Sequence, residues 1–182
     1  KMKIKNILEK TFSFLLKRLS ELIGASLLIF SVLLLISLIT YSPEDPNFIF
    51  PENAEIKNLM GTKGSYTSDI LFQSLGLISL LIPISFFFIS LKVIVEKKNL
   101  IIIESLFFIV LYSITGALFF TVFHTETYWL IVNENNGFIG DLFKESFIVN
   151  LINLNHQISY AILIFLITSF FLLSINFKFR NL

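Results

Sequence analysis

The stretch LIGASLLIFSVLLLISLITY, residues 22–41, decides the fold of this chain. It carries no charged residue, and apolar residues surround it on every side instead of forming the single stripe of a surface helix. A helix needs ~20 mainly apolar residues to cross a hydrocarbon core ~30 Å thick, because it rises ~1.5 Å per residue. The stretch therefore predicts a transmembrane helix. A cleaved signal peptide is disfavoured because the apolar run is too long for one.

Three further stretches meet the same test, at residues 70–91, 100–123 and 156–175. Pro83 lies in the middle of the second stretch and is the only helix breaker expected in any of the four. Glu104, near the start of the third stretch, is the one carboxylate expected within a span. We expect it to snorkel to the interface or to pair with Lys97 or Lys98, since a proton relay would need further ionisable groups at depth.

The composition also points to lipid. The chain is 55% hydrophobic and 15% charged, whereas soluble domains are about 45–50% apolar and about 25% charged. It has no cysteine, which excludes disulfides, thiolate metal sites and cysteine nucleophiles. The expected fold class is an all-α integral membrane protein with four transmembrane helices.

Basic residues are distributed unevenly between the spans. Eleven lysines and arginines lie in the N-terminal arm, the loop 92–99 and the C-terminal tail, and three lie in the other two loops. Cytoplasmic loops carry the excess of basic residues, so both termini are expected in the cytoplasm. The chain then divides into a basic amphipathic arm (1–21), a four-span domain (22–175) and the start of a cytoplasmic linker (176–182). Apolar residues such as Leu8 and Phe12 alternate with lysines in the arm, which would let it lie on the anionic inner leaflet.

The first outer loop contains closely spaced prolines, Pro43, Pro46 and Pro51. They fix φ and restrict the preceding residues, which predicts a stiff exit from the first span. The polar run 65–69, which ends at Asp69, supplies candidate N-caps for the second span.

The second outer loop combines apolar and charged residues at helical spacing. Phe138, Leu142 and Phe147 fall on one face, and Asp141 and Lys144 fall on the other. This pattern predicts an additional interfacial or re-entrant helix at the outer membrane surface.

Across these loops and the second span, a set of residues follows a recognisable order. The set is Pro43, Asp45, Pro46, Phe48, Asn58, Gly61, Gly64, Asp69, Gly76, Pro83, Gly137 and Gly140. Their order and spacing over essentially the whole chain resemble the N-terminal four-helix membrane domain of the FtsK/SpoIIIE family of DNA translocases. Ser65, Ser68 and Asn136 depart from the family's usual alanines and glycine.

The resemblance implies a protein of three parts: a membrane anchor, a variable cytoplasmic linker and a hexameric motor that pumps DNA through the closing septum. This chain would be the anchor, placed in the bacterial inner membrane at the division septum. The implied partners are membrane lipid, further copies of the chain (a hexamer by resemblance) and other cell-division membrane proteins. DNA would be contacted only through the motor.

The sequence carries no evident motif for catalysis. The nearest string to a phosphate-binding loop, Gly61-Thr62-Lys63-Gly64-Ser65, has the wrong spacing and is expected to form a turn. His124 and Glu126 are close in sequence, but a position at the interface with solvated tips explains them better than a metal site. We therefore expect no catalytic residue, no cofactor and no metal in this chain.

The sequence favours a membrane-anchoring and oligomerisation domain of a septal DNA translocase acting in cell division and chromosome segregation. The alternative is a small polytopic transporter or channel subunit, which the lack of midplane charges and of paired broken helices disfavours. Two pairs of small residues would let helix backbones approach, Ser20 with Gly24 and Ser113 with Ala117. Whether these pairs pack inside one bundle or between subunits stays open, as does whether the outer loops bind a partner or only cap the bundle.

Overall fold

The computed structural model describes residues 2–46, 55–124, 126, 130 and 134–176, with side chains from Leu8 onward. Its helices are α1 (Met2–Ile39), α2 (Gly61–Leu75), α3 (Leu81–Glu96), α4 (Leu100–Phe123), α5 (Gly137–Asp141), α6 (Phe147–Asn153) and α7 (His156–Ser174). A 3-10 helix, Gly76–Leu80, joins α2 to α3. No β-strand occurs among the described residues, so the all-α fold class is confirmed.

Four helical stretches within the described part of the chain are long and apolar enough to cross a membrane. They are Leu8–Ile39, Gly61–Glu96, Leu100–Phe123 and His156–Ser174. Each overlaps one of the stretches expected from the sequence. The short turn 97–99 joins α3 to α4 at one end of the bundle, which we call the hairpin end. The two longer connections, between α1 and α2 and between α4 and α7, lie at the opposite end, which we call the loop end.

The second span is broken at Gly76. This glycine adopts a φ of 72° and ends α2, after which the 3-10 helix leads into α3. Pro83 is the third residue of α3, a position in the first turn where backbone N–H groups have no α-helical partner. The prediction that Pro83 is the only helix breaker is therefore wrong, because the backbone break falls at the glycine.

The start of α2 also differs from the sequence prediction. The helix begins at Gly61, so the polar run 65–69 lies inside it and supplies no N-cap. The chain turns into α2 at Asn58, whose Oδ1 accepts a hydrogen bond from the Met60 N–H at 3.0 Å. The prediction of caps in the run 65–69 is therefore wrong. Ser65 and Asp69 of that run bond instead to Pro46 and Tyr41, which precede α2.

The four spans pack side by side in a bent row. α1 packs along α3, α3 contacts α4, and α4 packs along α7, which also contacts α3. Buried residues including Leu38, Ile89 and Tyr112 form the main core of the row. A smaller apolar cluster around Phe119 and Leu163 lies between α4 and α7. α1 therefore lies at one edge of the row, beside α3, and α7 lies at the other end, where the row bends so that α7 reaches α3.

Small residues set the distance between α1 and α3. A Cβ added to Gly24 would lie 2.6 Å from Ile94 Cγ1 and 3.1 Å from the Ser90 carbonyl oxygen. Ser20, one turn earlier, is also buried. The Ser20 and Gly24 pair thus faces α3 of the same chain. The second pair, Ser113 and Ala117, is buried in α4.

Candidate functional site at the loop end

A buried carboxylate organises the connection between α1 and α2. Asp45 is 1% exposed. Its Oδ1 accepts from the Lys57 N–H and its Oδ2 from the Asn58 N–H, both at 2.8 Å. Charge-assisted bonds of this kind are roughly twice as strong as neutral ones. One carboxylate therefore fixes the start of the connection, just after α1, to the segment that leads into α2.

Asn58 continues this link to α1. Its Nδ2 donates to the Ser37 carbonyl oxygen at 2.8 Å, while the Ser37 hydroxyl donates to the Gly64 carbonyl oxygen at 2.7 Å. The close approach requires a glycine at position 64, because an added Cβ would lie 2.3 Å from Asn58 Oδ1. The end of α1 and the first turn of α2 are thus bonded through both backbone and side chains.

The polar residues inside α2 bond to the chain that follows α1. Ser65 Oγ donates to the Pro46 carbonyl oxygen at 2.6 Å. The Tyr41 hydroxyl donates to Asp69 Oδ1 at 3.4 Å, and the Tyr41 ring packs on Phe72 with a centroid distance of 5.0 Å. These contacts explain why polar residues are tolerated in the interior of this helix, since each buried group has a partner.

A second joint connects the break in the second span to the connection before α7. The Leu77 N–H donates to the Asn135 carbonyl oxygen at 3.0 Å. A Cβ on Gly76 would lie 2.0 Å from that same oxygen, and one on Gly137 would lie 2.5 Å from the Gly76 nitrogen. Gly76 and Gly137 both have positive φ. Two backbones therefore meet here at a distance that only glycine permits.

Gly140 tightens the same joint. A Cβ at this position would lie 2.4 Å from Asn136 Cβ and 2.6 Å from the Thr121 hydroxyl oxygen of α4. Asn136 is fully buried, and its Nδ2 donates to Asp141 Oδ1 at 2.8 Å. The three glycines Gly76, Gly137 and Gly140 of the sequence motif are thus brought together in one place.

A buried polar cluster ties three spans together between the two ends of the bundle. Ser85 of α3 lies 3.1 Å from the Tyr112 hydroxyl of α4 and 3.0 Å from Ser174 Oγ of α7. All three residues are fully buried. Sequence reasoning missed this cluster, because single serines are common in apolar helices. The available signal was that serine and tyrosine stood among otherwise apolar residues on separate spans.

Polar contacts at the hairpin end close the bundle. Lys92 Nζ donates to the Asn176 carbonyl oxygen and, at 3.0 Å, to Asn176 Oδ1. The lysine therefore places a positive charge at the C-terminus of α7, where the helix dipole favours it. Lys97 Nζ lies 2.6 Å from Glu21 Oε1. Glu104 is exposed one turn into α4, and Lys97, one of its two expected partners, is paired with Glu21 instead.

The motif residues thus divide into two joints at the loop end. Asp45, Asn58, Gly64 and Asp69 belong to the first, and Gly76, Gly137 and Gly140 belong to the second. Gly61 has a φ of 66° at the start of α2, with no atom within 4 Å of an added Cβ. Pro43 begins the turn that leads to Asp45, and Pro46 and Pro83 are buried. Phe48 lies outside the described residues.

The chemistry of these joints is structural. The Asp45 carboxylate and the Asn58 amide bond to backbone groups, and the Asn136 amide bonds to Asp141. Within the described residues, no group of three or more histidines, aspartates and glutamates is placed to hold a metal ion. On the surface nearby, a direct hydrogen bond from the Lys57 ammonium lowers the pKa of the Glu44 carboxyl. The arrangement holds loops in one conformation and presents no nucleophile beside a base.

Comparison with known protein families identifies a membrane region of this kind. The family model described as the 4TM region of DNA translocase FtsK/SpoIIIE matches residues 16–182. Comparisons with curated proteins and with solved structures return no match. The matched region includes both joints and all four spanning stretches, except for the part of α1 before residue 16.

Proposed function

This chain belongs to the family of the four-span membrane region of FtsK/SpoIIIE DNA translocases, and from that premise we propose that it anchors a DNA-translocating motor at the septum of a bacterial inner membrane and helps its subunits to assemble. The observation that carries this proposal is the match over residues 16–182 on a fold with four spanning helices. Tethering subunits in one membrane raises their effective concentration for one another. The proposed partners are lipid, further copies of the chain and other division proteins, with DNA contacted only by the motor.

The internal bonding at both ends of the bundle supports an anchoring role. The loop end holds its connections through Asp45 and the glycine joint, and the hairpin end is closed by Lys92 and Lys97. A rigid anchor holds an attached domain in a defined position relative to the membrane. We propose that the hairpin end lies in the cytoplasm, which the excess of basic residues there favours, and that the loop end lies on the outer side.

Exposed apolar side chains at the loop end support contact with the membrane surface. Phe138 and Leu142 lie at α5, and Phe147 and Leu151 lie on α6; all four are exposed. These two short helices occupy the stretch where the sequence predicts one interfacial helix. We propose that they rest at the outer interface, where apolar residues enter the lipid and the charged residues stay in water.

Two features of the described spans do not favour a transporter or channel role. Glu104 lies one turn into α4 and is exposed, so it faces away from the bundle interior. The break at Gly76 has no counterpart in α4 or α7, which are continuous, whereas transporters of the broken-helix type use paired breaks.

Fluorescence microscopy tests the septal role. The chain, fused to a fluorescent protein and expressed at low level in a rod-shaped bacterium, should concentrate at division sites several-fold over the lateral membrane. An unrelated four-span protein carrying the same fusion serves as the control and should be uniform. A uniform distribution of this chain in dividing cells would contradict the septal part of the proposal.

A further inference from the structure

α1 is much longer than a membrane span. Its 38 residues extend for ~57 Å at ~1.5 Å per residue, against a hydrocarbon core of ~30 Å. The ion pair between Glu21 and Lys97 marks the level of the hairpin end on α1. The residues of α1 before Glu21 therefore project about 28 Å beyond that end of the bundle.

The projecting part of α1 has an apolar stripe that no described residue covers. Every side chain from Leu8 to Leu19 is exposed, and the first two members of the stripe, Leu8 and Phe12, are each 64% exposed. We call the following residues the α1 seam: Leu8, Phe12, Leu15, Leu19, Leu22, Ser26, Ile29 and Leu33. They recur at alternating steps of four and three residues, which is the a/d spacing of a coiled coil. All eight are exposed, so the seam runs without interruption from the projecting part into the span.

The opposite face of α1 is already used. Gly24, Ser31 and Leu38, which share one heptad position, are buried, and Gly24 backs directly onto α3. Lys10 and Lys17 hold the same heptad position in the projecting part, on the side away from the seam. The lysines would therefore not repel one another if two seams met. Phe14, which lies off the seam, has the Arg18 guanidinium 5.1 Å above its ring.

The continuity of the seam identifies what can cover it. Lipid tails can cover only the part within the span, and a soluble protein can cover only the projecting part. Lying flat on the inner leaflet would require a sharp kink in α1 where it leaves the bundle. Proline is a usual cause of such kinks, but α1 is helical from Met2 to Ile39 and contains no proline. A second copy in the same membrane presents the same seam, in parallel and at the same depth, so it can cover both parts.

We propose that the α1 seam is a parallel self-association surface whose partner is α1 of a second copy of this chain. The proposal rests on the assembly role proposed above and specifies the surface that carries it. α1 lies at an edge of the row of spans, so pairing through its free face leaves the packing on α3 undisturbed.

Disulfide crosslinking in membranes tests this surface, and the absence of native cysteine makes the background clean. Single cysteines at the seam, Phe12→Cys, Leu15→Cys and Leu22→Cys, should give oxidant-dependent dimers. The matched controls Lys10→Cys and Lys17→Cys, on the opposite face, should give several-fold less. A further pair of variants tests whether pairing depends on the seam face. Leu15→Glu should suppress the Leu22→Cys dimer several-fold, whereas Lys17→Glu, on the opposite face, should leave that dimer unchanged.

Measuring the mass of the chain in lipid nanodiscs separates this proposal from the broader assembly role. Seam-specific dimers and a mass above one copy support both. A mass above one copy with equal crosslinking on the two faces overturns the seam and leaves assembly standing. A single copy with no seam dimers overturns both. Quenching of a fluorophore at Leu15 by nitroxide lipids, without dimers, shows that the projecting part lies on the membrane surface and also overturns the seam.

Discussion

At the scale of single residues, the glycines at the loop end differ in why they must be glycine. Gly61 and Gly76 both have positive φ, at 66° and 72°. Nothing lies within 4 Å of a Cβ built on Gly61, whereas one built on Gly76 would lie 2.0 Å from the Asn135 carbonyl oxygen. The first position demands only backbone freedom, and the second also demands the absence of a side chain.

Alanine substitutions at these two glycines form a matched pair. Gly61→Ala should lower the free energy of unfolding by about 1–2 kcal/mol, the cost of a left-handed backbone for an ordinary residue. Gly76→Ala should add the cost of forcing two backbones apart, for a total of about 3 kcal/mol or more. Thermal unfolding of the detergent-solubilised chain measures both. An equal loss of unfolding free energy in the two variants would show that the backbones at Gly76 and Asn135 are not closely packed.

Sequence reasoning found these residues without finding their partners. The motif already contained Asp45, Asn58 and Gly76 as sequence features. Their roles depend on contacts with Lys57, Ser37 and Asn135, and such contacts between separated parts of the chain have no local signature. Asp45 is buried, so a partner protein could not touch it; its contribution is to hold the connection between α1 and α2.

At the scale of elements, hydropathy located all four spans and the ends of α4 and α7, but it misplaced the start of the second span. Each span is a long apolar run, and lipid imposes that composition regardless of neighbours. The start of α2 was misplaced because serine and aspartate before an apolar run are also the local signal of an N-cap. Here Ser65 and Asp69 bond to Pro46 and Tyr41 instead, so tertiary contacts outweigh the local signal.

The helices α5 and α6 give an element-scale prediction. The emission of a polarity-sensitive fluorophore attached at Leu142→Cys should shift to the blue when the chain is moved from detergent into lipid bilayers. Leu142 is exposed, and an apolar residue at the proposed interface enters the lipid. The same probe at Glu145→Cys, exposed and charged on the same connection, should shift much less. Equal, water-like emission from both positions would place these helices away from the membrane.

At the scale of the whole molecule, the proposed membrane anchor has a loop end that differs from its hairpin end, and α1 lies at one edge of its row of spans. The number and order of spans follow from the sequence alone. The row arrangement and the free seam of α1 depend on which faces pack, and hydropathy does not show this because lipid and protein both accept apolar side chains. Small residues such as Gly24 indicated where α1 packs, but only the structure shows that α3 is its neighbour.

The central claim is that this chain crosses the membrane four times and presents its hairpin end to the cytoplasm, where a motor would be attached. Thiol accessibility in intact spheroplasts tests this claim most directly, because the chain has no native cysteine. A membrane-impermeant maleimide should label Glu55→Cys and Glu145→Cys at the loop end. It should label Lys10→Cys and Lys98→Cys only after the membrane is permeabilised. Labelling of Lys98→Cys in intact spheroplasts, with protection of Glu55→Cys, would contradict the account.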